Sequence, residues 1–176
     1  MTTEIHIYFE YRERLLPNSP VEPKPWRSLG ANMSPGRNYS LFGLMAHVKT
    51  NMGKPFPPKS FPQDAGYWAL MDNYSYVSNN PDTVHCVTEE MAESYVKDYG
   101  CHYRADAEGE HTWVSVPFFH SHSWLVFAEF EEVMRKYNHK FKTRPEPVYD
   151  AILAAMKMLD KKKYDSRIVF WFEDKE

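Results

Sequence analysis

Alternation of apolar and polar residues near the start of the chain is the feature that most constrains its fold. In the run EIHIYFEYR, Ile5, Ile7 and Phe9 alternate with His6 and Glu10. A period of two is typical of a β-strand that places one face in a hydrophobic core. The polar residues of such a strand share the opposite face. The sequence therefore predicts a strand that can present His6 and Glu10 together.

Periodicity, capping residues and prolines predict the other elements. The closing run RIVFWF (residues 167–172) is apolar, β-branched and aromatic, which is typical of a buried strand. Prolines predict loops at residues 17–25 and 55–62. Helices are predicted at residues 37–48, 66–78, 88–99, 123–138 and 146–160, and short strands at 84–87 and 111–119. This order favours an α+β fold over residues 1–176, a single domain with a mixed or largely antiparallel sheet and four or five helices.

Charge and composition exclude several classes of function. The net charge is −3 and the charges are mixed along the chain, so we expect no duplex nucleic acid as a partner. No apolar run is long enough to predict a membrane helix, and the start does not resemble a secretory signal. The two cysteines, Cys86 and Cys101, fit a reducing compartment. These features predict a cytoplasmic protein.

A run of polar residues between apolar ones is the strongest local signal for a ligand site. His120, Ser121, His122, Ser123 and Trp124 stand at a predicted strand-to-helix junction. The first turn of a helix presents free N–H groups and the positive end of a dipole, which attract phosphate or carboxylate. Imidazole and hydroxyl groups would add donors there. The alternative is that a serine caps the helix while the histidines bond to loop carbonyls.

Residues at a second predicted helix start have the same character. Arg37 precedes Asn38, a typical N-cap, and Tyr39 follows. An arginine can bind a phosphate through two N–H groups while backbone amides bind its other oxygens. A solvated arginine beside an ordinary cap is the alternative. Two such sites would suit a ligand with two phosphates, or one phosphate between two rings, with Trp124 or Tyr39 stacking on a base.

A metal site is a further alternative, because histidine and carboxylate are common ligands of zinc, manganese and iron. His6 and Glu10 share one strand face, and His120, His122 and Asp64 could complete such a set. No cysteine cluster or known metal-binding motif accompanies them, and the sequence assigns no cofactor. It also has no P-loop, dinucleotide-binding or hydrolase-elbow motif.

Five segments carry a family resemblance, and together they touch both ends and the middle of the chain. They are EIHIYFE at 4–10, RNYSLF at 37–42, FPQD at 61–64, HSHSWL at 120–125 and RIVFWF at 167–172. The chain resembles an uncharacterised family of tailed phages and of bacterial genomes that carry prophages. Here PKSFP stands where the family has PRGLP, so any role of that arginine does not transfer. The resemblance implies a viral accessory protein in the host cytoplasm and supplies no activity.

Three functional hypotheses follow from these observations. The first is binding of a phosphate-bearing, nucleotide-like small molecule, which would sequester a host immune signal. The second is hydrolysis of such a nucleotide by a phosphodiesterase or related enzyme, with His120 or His122 as the acid–base group. The third is a protein-interaction module that inhibits a host protein or forms a minor virion part. The sequence does not decide whether the protein forms a homo-oligomer. The first predicts that His6, Arg37, Asp64 and one of these two histidines share a pocket.

Overall fold

The structure is a computed structural model that describes residues 2–30, 32–49, 56–105, 109 and 111–175. The chain forms two compact units, residues 1–67 with 120–176 and residues 68–119. Within the described ranges there are five helices and eight strands, which form two four-stranded sheets. The α+β class, the helix number and the mixed, largely antiparallel pairing are as predicted. No helix of the described part combines the length and apolar character needed to cross a membrane.

The elements follow the order of the chain, and their bounds define the labels used below. The strands are β1 (Thr2–Glu13), β2 (Arg27–Ser28), β3 (Tyr74–Val77), β4 (Cys86–Val87), β5 (Tyr103–Ala105), β6 (Thr112–Ser115), β7 (Phe119–Val126) and β8 (Tyr164–Lys175). The helices are α1 (Tyr39–Ala46), α2 (Tyr67–Asn73), α3 (Glu89–Tyr99), α4 (Phe127–Lys140) and α5 (Pro147–Lys161).

The two ends of the sequence form the centre of the larger unit. Its sheet has the order β2-β1-β8-β7, and β1 pairs with β8 in antiparallel register from Thr2↔Lys175 to Glu13↔Tyr164. Ile5, Ile7 and Phe9 face a core that α1, α4 and α5 complete, as the alternation predicts. Burial of this face supplies the main hydrophobic stabilisation of the unit.

The opposite face of this sheet is buried as well, which the alternation of β1 does not predict. Tyr8, Glu10 and Trp171 are almost or wholly inaccessible to solvent. The loop at residues 56–66 contributes Phe61, whose ring lies 6.1 Å from that of Trp171. Polar groups on this face therefore need partners within the protein, since a buried unpaired charge is costly.

The smaller unit contains a sheet of order β4-β3-β6-β5, in which β3 and β4 are parallel and the other pairs antiparallel. Its core includes Val87, Ala92 and Val114. Thr88 caps α3 by accepting a hydrogen bond from the Met91 N–H, as predicted. The helix predicted at 66–78 ends at residue 73, and the chain continues as β3.

The prediction of a helix over residues 123–138 is wrong at its start. Residues 119–126 form β7, and α4 runs from Phe127 to Lys140. Alternation in the run HSHSWLV suits a strand, and the sheet supplies a partner for its backbone in β8. The first turn of α4 is closed by Glu129, whose Oε2 accepts a hydrogen bond from the Val126 N–H at 3.0 Å. The polar residues 120–123 therefore lie within a strand and not at the N-terminus of a helix.

Candidate functional site

A groove of about 840 Å³ opens at the end of the larger sheet. Its walls come from β1, β8, the loop that contains residues 59–64, and the junction of β7 with α4. We call it the tryptophan groove, because Trp26 and Trp124 line it together with Arg12, Arg14, Lys59 and Arg167. Aromatic rings thus meet four cationic side chains in one concave surface.

Arg167 lies at the base of the groove and is the most buried of these cations. It stands opposite Glu10 in the β1–β8 register, which places both side chains on the same sheet face. Arg167 Nε donates to Glu10 Oε2 and Nη1 donates to Asp64 Oδ1, each at 2.8 Å. Nη2 donates to the Asp64 carbonyl oxygen at 3.0 Å. The planar guanidinium therefore joins the two central strands to the loop.

Glu10 is wholly buried, and the loop backbone closes over it. Gly66 N donates to Glu10 Oε1 at 2.7 Å. A Cβ atom at position 66 would lie 2.8 Å from that oxygen, so a larger residue would displace the Glu10 carboxylate or the loop. Burial raises the pKa of the Glu10 carboxyl, and the Arg167 guanidinium and the Gly66 N–H oppose the rise without cancelling it.

Asp64 accepts hydrogen bonds from several side chains of the groove. Besides Arg167, Trp26 Nε1 donates to Asp64 Oδ2 at 2.8 Å, and Arg12 Nη1 lies 3.4 Å from the same oxygen. Burial acts to raise the pKa of Asp64, but hydrogen bonds from Arg167 and Trp26 and the attraction of Arg167 and Arg12 outweigh it and lower that pKa. Asp64 is therefore an anion in the folded protein at neutral pH.

Cations stack on both indole rings of the groove. The guanidinium carbons of Arg12 and Arg167 lie 4.2 and 4.0 Å from the centre of the Trp26 ring. Lys59 Nζ lies 4.0 Å from the Trp124 ring, and Arg167 lies 5.9 Å from it. Such contacts are favourable, and they fix the rings and charges relative to one another.

Carboxylates neutralise the other two cations of the groove. Arg14 donates to Asp160 and Asp165, each at 2.7 Å. Lys59 Nζ donates to Glu129, with a distance of 2.6 Å to Oε1. Arg12 is the least well paired of the four, because a contact of 3.4 Å is at the limit of a hydrogen bond.

The structure distributes the residues predicted to bind a ligand over several places. Asp64 and Trp124 line the groove, and Glu10 lies behind it in contact with Arg167. His6 does not line the groove. Its Nε2 lies 3.0 Å from Glu173 Oε2, and its ring stacks on Trp171 at 5.7 Å.

The two histidines of the polar run lie on opposite faces of the sheet. His120 stacks on Phe172 and His122 stacks on Trp171, and consecutive residues of β8 face opposite sides. Ser121 has a positive φ of 51°, a local irregularity of β7 that breaks its alternation. The interpretation of His120 and His122 as one cluster is therefore wrong.

The remaining residues of that run have separate contacts. Ser121 Oγ lies 3.0 Å from His120 Nδ1, and His120 Nε2 lies 3.6 Å from Asp174 Oδ1. Ser123 is buried, and its Oγ accepts a hydrogen bond from the Lys59 N–H at 3.0 Å. Ser123 thus positions the loop that carries Lys59, although Ser123 itself does not line the groove.

The second predicted site is a helix start with internal partners. Asn38 is the N-cap of α1, as predicted, since its Oδ1 accepts from the Leu41 N–H at 3.0 Å. Arg37 Nη2 lies 3.6 Å from Glu4 Oε1, and the Tyr39 hydroxyl accepts from the Thr3 N–H at 3.4 Å. Neither Arg37 nor Tyr39 lines the groove. A shared pocket was expected for His6, Arg37, Asp64 and one histidine of the polar run, and of these Asp64 lines the groove.

Three residues of the groove, Arg12, Trp26 and Arg167, were not predicted from the sequence, although a signal was present for one of them. Arg167 opens the apolar run RIVFWF, and a charged residue in a buried strand requires a partner of opposite charge. Glu10 lies on the strand predicted at the other end of the chain. Trp26 follows a proline-rich loop, and nothing local distinguishes it from a core residue.

Metal ligation has no matching cluster among the residues that the structure describes. No three or more His, Cys, Asp or Glu side chains there form a group that could hold a metal ion. The set proposed from the sequence is divided, with His6 near Glu173 and His120 near Asp174.

Comparison with known proteins finds no relative. No protein family, curated protein or solved structure matches the chain. Functional inference for this protein therefore depends on the geometry of its own side chains.

Proposed function

We propose that the protein binds a small organic anion with a flat ring, of the nucleotide class, in the tryptophan groove. The observation that carries this proposal is the meeting of two indole rings and four cations in one concave surface of about 840 Å³. Pockets for small ligands typically have volumes of about 300–1,000 Å³. A flat or convex aromatic patch would instead favour the protein-interaction hypothesis.

Arg12 is the residue that we assign to the anionic group of the ligand. Its long contact with Asp64 leaves guanidinium N–H groups for another acceptor, whereas Arg14 and Arg167 have short bonds to carboxylates. Trp26 holds the Arg12 guanidinium by stacking, so its direction is set before a ligand arrives. A preorganised arginine of this kind binds phosphate through paired hydrogen bonds.

Trp124 is the residue that we assign to the ring of the ligand. Its indole lines the groove and has Lys59 against it, and bases stack readily on aromatic rings. A base can enter beside this ring if the flexible lysine side chain shifts. Lys59 would then sit near the ligand phosphate or ribose.

Binding without turnover is the form of the proposal that the groove favours. Among the described residues of its lining there is no histidine or cysteine, and its carboxylates Asp64, Asp160 and Asp165 each accept hydrogen bonds from arginine. A carboxylate held by arginine is a weak base, which does not suit proton abstraction. The resemblance to phage proteins makes a host nucleotide signal the first ligand to test.

Calorimetry against mono-, di- and cyclic nucleotides tests the proposal. Arg12→Ala should weaken binding about tenfold or more, since a charge-assisted hydrogen bond contributes about 1.5–3 kcal/mol. Arg37→Ala is the matched control, because Arg37 also has one long carboxylate contact but lies outside the groove. Its affinity should equal that of the unmodified protein.

A second pair of variants separates ligand contact from folding. Trp124→Ala should lose affinity, and Trp124→Phe should recover most of it because a ring remains.

Recovery of intact nucleotide after prolonged incubation would support sequestration. Absence of binding with every nucleotide, or weakening by Arg37→Ala rather than Arg12→Ala, would overturn the assignment of this groove.

A further inference from the structure

A second concave surface lies where α4 ends and the chain turns towards α5. It has a volume of about 630 Å³ and is lined by Lys140, Lys142, Arg144 and Asp150, among other residues. We call it the basic hollow. It belongs to the larger unit and shares no lining residue with the tryptophan groove. Three cations there face one carboxylate.

Among the residues that the structure describes, no carboxylate neutralises the cations of the hollow. Within the ranges that the structure describes, Lys140, Lys142 and Arg144 form no ion pair, and neither does Asp150. Neighbouring cations on α4 behave differently, because Arg135 Nε donates to Glu132 at 2.8 Å. This bond, with Lys136 nearby, lowers the pKa of the Glu132 carboxyl to about 2.

The segment that carries these charges is fixed at both ends. Phe141 N donates to the Tyr137 carbonyl oxygen at 2.9 Å, and the rings of these residues lie 5.0 Å apart. Pro145 is buried at the other end of the segment, immediately before α5. Lys142 and Arg144 therefore belong to one short connection that is anchored at both of its ends. A bound anion would offset the positive charge that this connection concentrates.

We propose that the basic hollow is a binding site for a small, multiply charged phosphate compound, such as a polyphosphate chain. Three unpaired cations supply charge-assisted donors, and the Thr143 hydroxyl of the same lining supplies a further one. Among the described lining residues there is no tryptophan or tyrosine, and the ring of Phe141 is partly buried against the core, so positive charge predominates over stacking surface. This lining favours a compact phosphate chain over a nucleic acid strand.

Titration calorimetry with sodium tripolyphosphate tests the proposal on the full chain. We expect one ion bound per chain, and about a hundredfold loss of affinity in the variant with Lys142→Glu and Arg144→Glu, since two charge-assisted contacts are lost. The control carries Lys157→Glu and Lys161→Glu, two α5 lysines outside the hollow with the same change in net charge. It should lose affinity only slightly. Asp150→Asn should bind several-fold more tightly, because it removes the one carboxylate.

Three results would overturn this site. They are no binding of tripolyphosphate, equal weakening in the hollow and control variants, or binding of a single-stranded oligonucleotide without binding of tripolyphosphate. Adding the two hollow substitutions to Arg12→Ala separates the hollow from the groove, because they should still cause about a hundredfold loss of tripolyphosphate affinity when Arg12 is absent. No further loss in that background would place the anion in the groove and would also overturn the proposal.

Discussion

The tryptophan groove and the basic hollow are both lined by cationic side chains, but they differ in how many of these cations are paired with carboxylates. In the groove, Arg14, Lys59 and Arg167 each have carboxylate partners at short distance. In the described part of the hollow, Lys142 and Arg144 have none. The groove has four such cations and the hollow three, so their number separates the two surfaces much less than their pairing does.

Burial explains the difference. Arg167 extends from a central strand and its side chain is 4% exposed, so without Glu10 and Asp64 it would be a desolvated and unpaired charge. Lys142 and Arg144 stand on an exposed connection, where water solvates them without a partner. Ion pairs in the groove therefore join β1, β8 and the loop, whereas the unpaired cations of the hollow are the ones that we propose bind a ligand.

The largest effect is expected at the centre of the groove. Arg167→Met should lower the free energy of unfolding by about 3–5 kcal/mol, because it leaves Glu10 buried without its cation. Urea denaturation at neutral pH measures the change.

A double variant checks the cause. Arg167→Met combined with Glu10→Gln should lose much less stability than the sum of the two single variants, because neither charge is then left alone. Additive losses would show that Arg167 acts through packing of its aliphatic part, and the contrast between the two surfaces would fail.

An intermediate and pH-dependent effect is expected at Asp64. Its pKa in the folded protein lies below the ordinary value of 3.8, so its contribution to stability is complete above that value and is lost as the pH falls through the folded pKa. Asp64→Asn should therefore be less stable than the unmodified protein at neutral pH, and the gap should narrow in acid. Unfolding curves recorded from neutral pH down to about pH 2 compare the two proteins. A constant gap would contradict the ion pairs of Asp64.

The smallest effect is expected in the hollow. Lys142→Gln and Arg144→Gln should each change the free energy of unfolding by less than about 0.5 kcal/mol, since exposed residues without partners contribute little. At low salt the change should be a slight gain, because the positive charge of the hollow is reduced. A loss comparable to that of Arg167→Met would mean that these cations have structural partners.

Sequence patterns with local causes were sufficient for much of the fold. Alternation in β1, the apolar run in β8 and the cap residues Asn38 and Thr88 each gave the correct element or boundary. The start of α4 was wrong because helical spacing from Ser123 onwards competes with the strand-like alternation of β7. Sheet pairing decided between them, and pairing depends on a distant segment.

The candidate site depended on the tertiary structure for a similar reason. The sequence determined which residues carry charge, which strands are buried and that Glu10 shares a strand face with His6. It could not determine that β1 and β8 pair in a register that sets Glu10 opposite Arg167, or that Gly66 and Asp64 close over both. Nor could it determine that Ser121 adopts a positive φ, with His120 stacked on Phe172 and His122 on Trp171. Local patterns act within a few residues of the chain, whereas the contacts of Glu10 join positions that are 56 and 157 residues apart. The energies of such contacts exist only after the sheet has formed.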